Sequence, residues 1–213
     1  MPRMIASSAL SVSLRAEDKP PTIAVAASLR TAIEDIIGQF AATGGGKITA
    51  SYGATGNLVR QVETGAPFEL FLAADEKSVD RLAAAGLTDG AGNILVEGRL
   101  AIVAPVASPV EVDPELAGLR KAFDGGKVTR LAIANPELAP YGRAAEEALS
   151  KAGLLETAKP KFVLGESVAQ TAQYAATGSV EAALIPQSLA LSAEIAPKIK
   201  VVTGVIGMKS LCA

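Results

Sequence analysis

Residues 51–65 read SYGATGNLVRQVETG. The run from Asn57 has helical spacing: Leu58, Val59 and Val62 share one face, while Arg60, Gln61 and Glu63 lie elsewhere. The residues before it, KITASYG (47–53), read as a strand. The stretch is therefore a strand-to-helix junction, with Thr55 set between Gly53 and Gly56 where the helix begins. A Thr at such a place is ordinarily an N-cap, and glycine there is ordinary turn chemistry. Whether the junction means more depends on its neighbours.

The same unit repeats outward. TIAVAAS (22–28) is a short apolar run suited to a buried strand. A helix follows, with Leu29, Ala32, Ile33, Ile36, Ile37 and Phe40 at helical spacing, and Gly44 to Gly46 stop it. FELFLAA (68–74) is a third strand, and Asp75 reads as the N-cap of EKSVDRLAAAG, which ends at Gly86. GRLAIVAP (98–105) is a further apolar strand. A second series then begins: strand 129–135, helix 143–153, strand 161–165, helix 168–178 and strand 180–186. Alternating strands and helices predict parallel β-α units. Two such series, joined near residues 90–105, predict an α/β fold of two lobes with a ligand cleft between them. The expected first lobe is 17–92 and the second 93–198, with 199–213 a crossing strand and an atypical tail. One continuous doubly wound sheet is the alternative.

Composition narrows the function classes. The chain has 213 residues, of which 49% are hydrophobic, enough for a substantial core. Net charge is -2 and no run of five basic residues exists, so nucleic acid is not an expected partner. Histidine is absent and Cys212 is the only cysteine. That excludes Ser-His and Cys-His catalysis, histidine-ligated metals and an intrachain disulfide. Ser-Lys chemistry survives, but no Ser-x-x-Lys elbow stands in a convincing context. Arg3 followed by the apolar, small-residue segment 4–14 resembles a secretory leader, with residues 1–16 as its remnant. The segment is too short to span a bilayer, which takes ~20 residues. No membrane insertion is expected.

The strand-to-helix junctions read AVAASLR, YGATGNL, ANPELAPYGRAA and LGESVAQT. In open α/β sheets, ligands bind outside the carboxyl ends of strands. Helix N-termini there offer unpaired N–H groups and partial positive charge. Ser28, Thr55 and Ser167 add hydroxyls, and Gly53, Gly56 and Gly142 permit close backbone approach. Four such helix starts facing one cleft would hold an anion without Lys or Arg. GATGNL is not a phosphate-gripping P-loop, since no Gly-Lys-Ser/Thr follows. The clusters AAEEAL and AADEKS read as solvated helix faces.

Four strings resemble the periplasmic molybdate-binding proteins of ABC transporters: IAVAASL, SYGATGNLVRQVETGAPFELFLAADEKSVDRL, GRLAIVAP and LAIANPELAPYGRAAEEAL. The resemblance covers about residues 22–190. It implies a type II periplasmic-binding-protein fold, two α/β lobes closing on an oxyanion, with no enzymatic activity and no cofactor. The implied ligand is molybdate or tungstate, the implied partner a membrane permease, and the implied location the periplasm. The implied site is Ser28 and Thr55 through their hydroxyls, and Tyr141 and Val168 through their backbone N–H groups. The metal arrives as the oxyanion on these same residues, with no direct cation ligands. Some members add a tyrosine near the last junction. Here Pro186 stands at that position, and Gln187 or Ser188 is the candidate replacement. The family continues for several tens of residues beyond a segment like KIKVV, whereas this chain runs into TGVIGMKSLCA, so it is expected to lack that C-terminal segment.

A site of donors alone suits a fully ionised tetrahedral dianion, whose oxygens only accept. Phosphate keeps a proton near neutral pH and needs an acceptor. The nearest junction carboxylates are Glu137 and Glu166. Sulfate or phosphate binding, a ligand-sensing domain and an α/β enzyme using a serine or carboxylate are the competing readings.

Overall fold

The structure is a computed structural model that describes residues 19–204. The expected leader (1–16) and the last nine residues lie outside the described residues. The first series forms β1 (Thr22–Ala26), a 3-10 turn at Ala27–Leu29, α1 (Arg30–Ala42), β2 (Thr49–Gly53), α2 (Thr55–Glu63), β3 (Leu70–Leu72) and α3 (Glu76–Ala84). The second forms β4 (Leu100–Pro105), α4 (Ala117–Asp124), β5 (Leu131–Ala134), α5 (Pro140–Lys151), α6 (Leu155–Ala158), β6 (Phe162–Gly165), α7 (Val168–Ala176), β7 (Ala182–Pro186), α8 (Gln187–Ala190) and β8 (Ile199–Thr203).

These strands build two sheets, so the single continuous sheet is excluded. The first is parallel, in the order β2-β1-β3. The second has the order β6-β5-β7-β4-β8. Its β5, β6 and β7 run parallel, as β-α units must, but β4 is antiparallel to both β7 and β8. The chain reaches β4 from α3 of the first lobe, so no helix packed on this sheet precedes β4 to set a parallel direction. The all-parallel expectation therefore fails at this one strand.

Helix α4 was not anticipated. Its N-cap is Leu116, in a left-handed conformation at φ 61°, which carries no capping side chain. The capping carboxylate comes from further upstream: Asp113 accepts from the N–H groups of Ala117 (2.8 Å) and Gly118 (2.6 Å). The usual start signal next to the helix is thus absent.

Burial is uneven between the lobes. Strands β4, β5 and β7 are buried almost throughout, and their side chains make one large cluster with α4, α5 and α7. Ala26, Ala27, Ala54 and Ala74 of the first lobe join this same cluster. The first lobe's own buried set is smaller: Ile23, Val25 and Leu72 cluster against half-buried Leu29, Ile33 and Ile37, and Leu58, Val59 and Leu82 are buried on α2 and α3. Helix α1 has no buried residue, and Ile36 and Phe40 are 57% and 46% exposed. The apolar face read from its periodicity exists, but only its Ile33–Ile37 edge meets the sheet.

Candidate functional site

Strands β1, β2 and β3 deliver their carboxyl ends toward the second lobe. The starts of α5 and α7 face them from the other sheet. Ser28, Thr55, Tyr141 and Val168 all line one small cavity at this meeting point, with a volume of about 10 Å³. All four are buried, at 6%, 1%, 5% and 6% exposure. A cavity of this size holds about one water, so a tetrahedral oxyanion requires the walls to part.

Each residue reaches the cavity for a local reason. Ser28 sits in the 3-10 turn after β1 rather than at a helix cap, since Leu29 is the N-cap of α1. Thr55 is not a cap either. Ala54 holds the N-cap position of α2 and makes no side-chain capping bond. Thr55 Oγ1 instead accepts the N–H of Ala74 at 3.1 Å, across the sheet at the end of β3. With its lone pair so engaged, the hydroxyl proton is left to point elsewhere. Tyr141 and Val168 occupy the second and first positions of α5 and α7. N–H groups there have no intrahelical acceptor. Burial pushes the Tyr141 phenol up to about 12, so the ring stays neutral across the physiological range.

The glycines divide. Gly53 has room for a Cβ beyond a 3.4 Å contact with Leu58. At Gly56 a Cβ would lie 2.9 Å from Leu138 O, and its N–H donates to that same oxygen at 2.8 Å. Gly56 is thus required for contact between the lobes. At Gly142 a Cβ would meet Ala134 O at 2.1 Å, where α5 packs on the end of β5. Ser167, expected as a hydroxyl donor, is instead the N-cap of α7, accepting from Gln170 N at 3.3 Å. It does not line the cavity.

Neither Glu137 nor Glu166 lines the cavity, and neither does any other charged side chain. Pro186 is buried at the end of β7 and opposes Leu100. Asp75 corrects the reading of AADEKS as a solvated face. It caps α3 through Ser78 N (3.1 Å), is buried, and its second oxygen pairs with Arg143 Nη2 of the other lobe. Sequence could find the cap, because Asp stands before a periodic run. It could not find Arg143, which is 68 residues away.

A second cavity of about 350 Å³ adjoins the first and shares Ser28, Ala74 and Tyr141 with it. Glu97, Arg99 and Gln187 are its polar lining beyond them, together with Ser188. Ser188 Oγ donates to Ser28 O at 2.7 Å, a further bond between the lobes.

Known proteins share the sequence pattern and the fold. A molybdate-binding protein ModA of Azotobacter vinelandii is 41% identical over 78% of this chain and 64% of its own length. The ModA of Escherichia coli K12 is 36% identical over 72% of this chain and 60% of its own. The chain thus spans a little under two thirds of these relatives. A solved A. vinelandii periplasmic molybdate-binding protein superposes with a TM-score of 0.69 at 29% identity, covering 82% of this chain and 74% of that one. The fold is that of the two-lobe periplasmic binding proteins. Residues 21–205 match the family described as bacterial extracellular solute-binding protein, and the chain belongs to that family.

Proposed function

We propose that this protein captures a tetrahedral oxyanion, molybdate or tungstate, outside the cytoplasm and delivers it to the membrane permease of an ABC transporter. It acts as a periplasmic binding protein and catalyses no reaction. One observation supports this best: donors from four strand-to-helix junctions, two on each sheet, converge on a cavity lined by no charged side chain. The relatives named for molybdate binding supply the choice of anion.

In this reading the first lobe comprises residues 17–92 and the second 93–198. Ser28 and Thr55 donate through hydroxyls, Tyr141 and Val168 through backbone N–H groups. Hydrogen bonds to a charged partner contribute about 1.5–3 kcal/mol each, so four supply about 6–12 kcal/mol toward meeting the costs of association. The lobes part to admit the anion and close around it, a hinge motion at the strands joining them. The contacts of Gly56 with Leu138, Asp75 with Arg143 and Ser188 with Ser28 are remade on closing.

The test is calorimetric titration and thermal shift with molybdate, tungstate, sulfate and phosphate. Sulfate shares the all-acceptor chemistry and differs in size; phosphate differs in carrying a proton. Molybdate or tungstate at 100 times its dissociation constant should add ~2.7 kcal/mol of stability. None of the four donors titrates, and the Tyr141 phenol keeps its proton until about 12. Molybdate affinity should therefore stay level between about pH 6.5 and 9. Absence of any shift with both metal oxyanions would defeat the reading.

A further inference from the structure

A four-oxygen anion does not account for the larger cavity. At about 350 Å³ it falls within the range of small-molecule sites, about 300–1,000 Å³. It meets the small cavity where Ser28, Ala74 and Tyr141 border both. Its walls are of two kinds. Leu29, Val96 and Leu191 give it apolar surface, and Val96 and Leu191 are 49% and 55% exposed. Glu97 and Arg99, on the segment leading into β4, both line it as well. Neither side chain has a hydrogen bond or ion pair among the described residues, so an acceptor and a donor stand available together. The Tyr141 phenol also has no hydrogen-bond partner among the described residues, although the residue is only 5% exposed. A bare inorganic anion has nothing to set against apolar walls. An organic substituent with hydroxyl groups does.

The anion site restricts what the substituent is attached to. Its donors require oxygens that only accept. A phosphate monoester sheds its second proton near pH 6. Above that pH its three terminal oxygens carry two charges and only accept, as those of molybdate do. Inorganic phosphate keeps a proton near neutral pH and lacks this match. The ester oxygen, at the fourth vertex, then leads the organic group past Ser28 and Tyr141 into the larger cavity.

We propose that the two cavities together form a site for a phosphate monoester with a small hydroxylated organic group. The phosphoryl group takes the anion site, and the organic group lies against Leu29, Val96 and Leu191 with its hydroxyls toward Glu97 and Arg99. This rests on the oxyanion reading above and adds a second ligand class to it. The experiment is competition calorimetry of the full chain with sodium molybdate, inorganic phosphate, glycerol 3-phosphate and glucose 6-phosphate, with the melting temperature of each ligand-free protein. One or both esters should compete with molybdate and bind at least tenfold more tightly than inorganic phosphate. Ester affinity should fall as the pH drops below about 6, where the ester takes up a proton. Leu191→Trp fills the larger cavity from a half-exposed position. It should weaken ester binding at least tenfold while molybdate affinity and melting temperature hold. If that variant melts lower, Glu97→Ala combined with Arg99→Ala takes its place, with the same loss expected for the ester alone. A wild type that binds molybdate but binds neither ester better than inorganic phosphate would overturn the proposal and leave the oxyanion reading standing. Unchanged ester affinity in a stably folded variant would overturn it too. A wild type that binds neither molybdate, tungstate nor either ester would instead defeat the oxyanion reading itself.

Discussion

Thr55 makes one hydrogen bond and is proposed to make another. As acceptor it holds the N–H of Ala74, tying the start of α2 to the end of β3. It also lines the cavity, where its hydroxyl proton is proposed to meet the anion. Thr55→Ala removes both. Stability should fall by about 1–3 kcal/mol, because a buried N–H loses its partner, and molybdate affinity should fall roughly ten- to a hundredfold. Thr55→Ser keeps the oxygen and should preserve most of both. Calorimetry and chemical denaturation of the three proteins separate the two effects. An alanine variant that loses stability and binds as well as the wild type would leave Thr55 a purely structural residue. Tyr52 shows the opposite situation. Its hydroxyl is buried without a partner beneath the Arg30 guanidinium, 4.1 Å from the ring centre. Burial raises its pKa, the charge of Glu34 raises it further, and Arg30 lowers it.

At the scale of elements, the start of α2 is where the lobes touch. Gly56 lets its own N–H reach Leu138 O, in the loop that leads into α5. A methyl group at Gly56 would sit 2.9 Å from that carbonyl oxygen, and backbone rather than a movable side chain opposes it. Gly56→Ala should therefore hold the lobes apart. The expected result is molybdate affinity reduced at least tenfold with little loss of thermal stability, since the clash is relieved by opening. Gly53→Ala, where only the Leu58 side chain is near, is the control and should bind nearly as the wild type does. Equal affinities for the two variants would show that α2 and the Leu138 loop need not meet for binding. The Asp75–Arg143 pair spans the same gap, but Arg143 is half exposed, so solvent screens it and it contributes little by itself.

Across the whole molecule the two lobes are unequally built. The second lobe has a five-stranded sheet with buried central strands, while the first has three strands and a smaller set of buried apolar side chains, among them Ile23, Val25, Leu58, Val59, Leu72 and Leu82. Ile36 and Phe40 on α1 remain open to water. Exposed apolar side chains on one helix face, beside a short sheet whose edges pair with no other strand among the described residues, favour self-association. The chain should therefore associate with rising concentration, as read by sedimentation or light scattering. Ile36→Lys with Phe40→Glu should shift it toward monomer without changing anion affinity, because neither residue lines the site. A wild type that stays monomeric at high concentration would show that this face is tolerated by water.

Local signals determined much of this protein. Helical and strand periodicity located most of the elements, and Asp75 marked the start of α3 as a cap. The resemblance in the junction strings, with Ser28, Thr55, Tyr141 and Val168 at matching places, named residues that share one cavity. These features are legible because each depends on neighbours in the chain. What only the tertiary structure decided depends on residues far apart. The antiparallel direction of β4 follows from where the chain crosses between lobes. Asp113 caps α4 from upstream, in place of a capping residue beside the helix. Gly56 is required by Leu138, Asp75 pairs with Arg143, and Ser188 donates to Ser28 O. Periodicity carries no information about such pairs, since packing between the two lobes creates them.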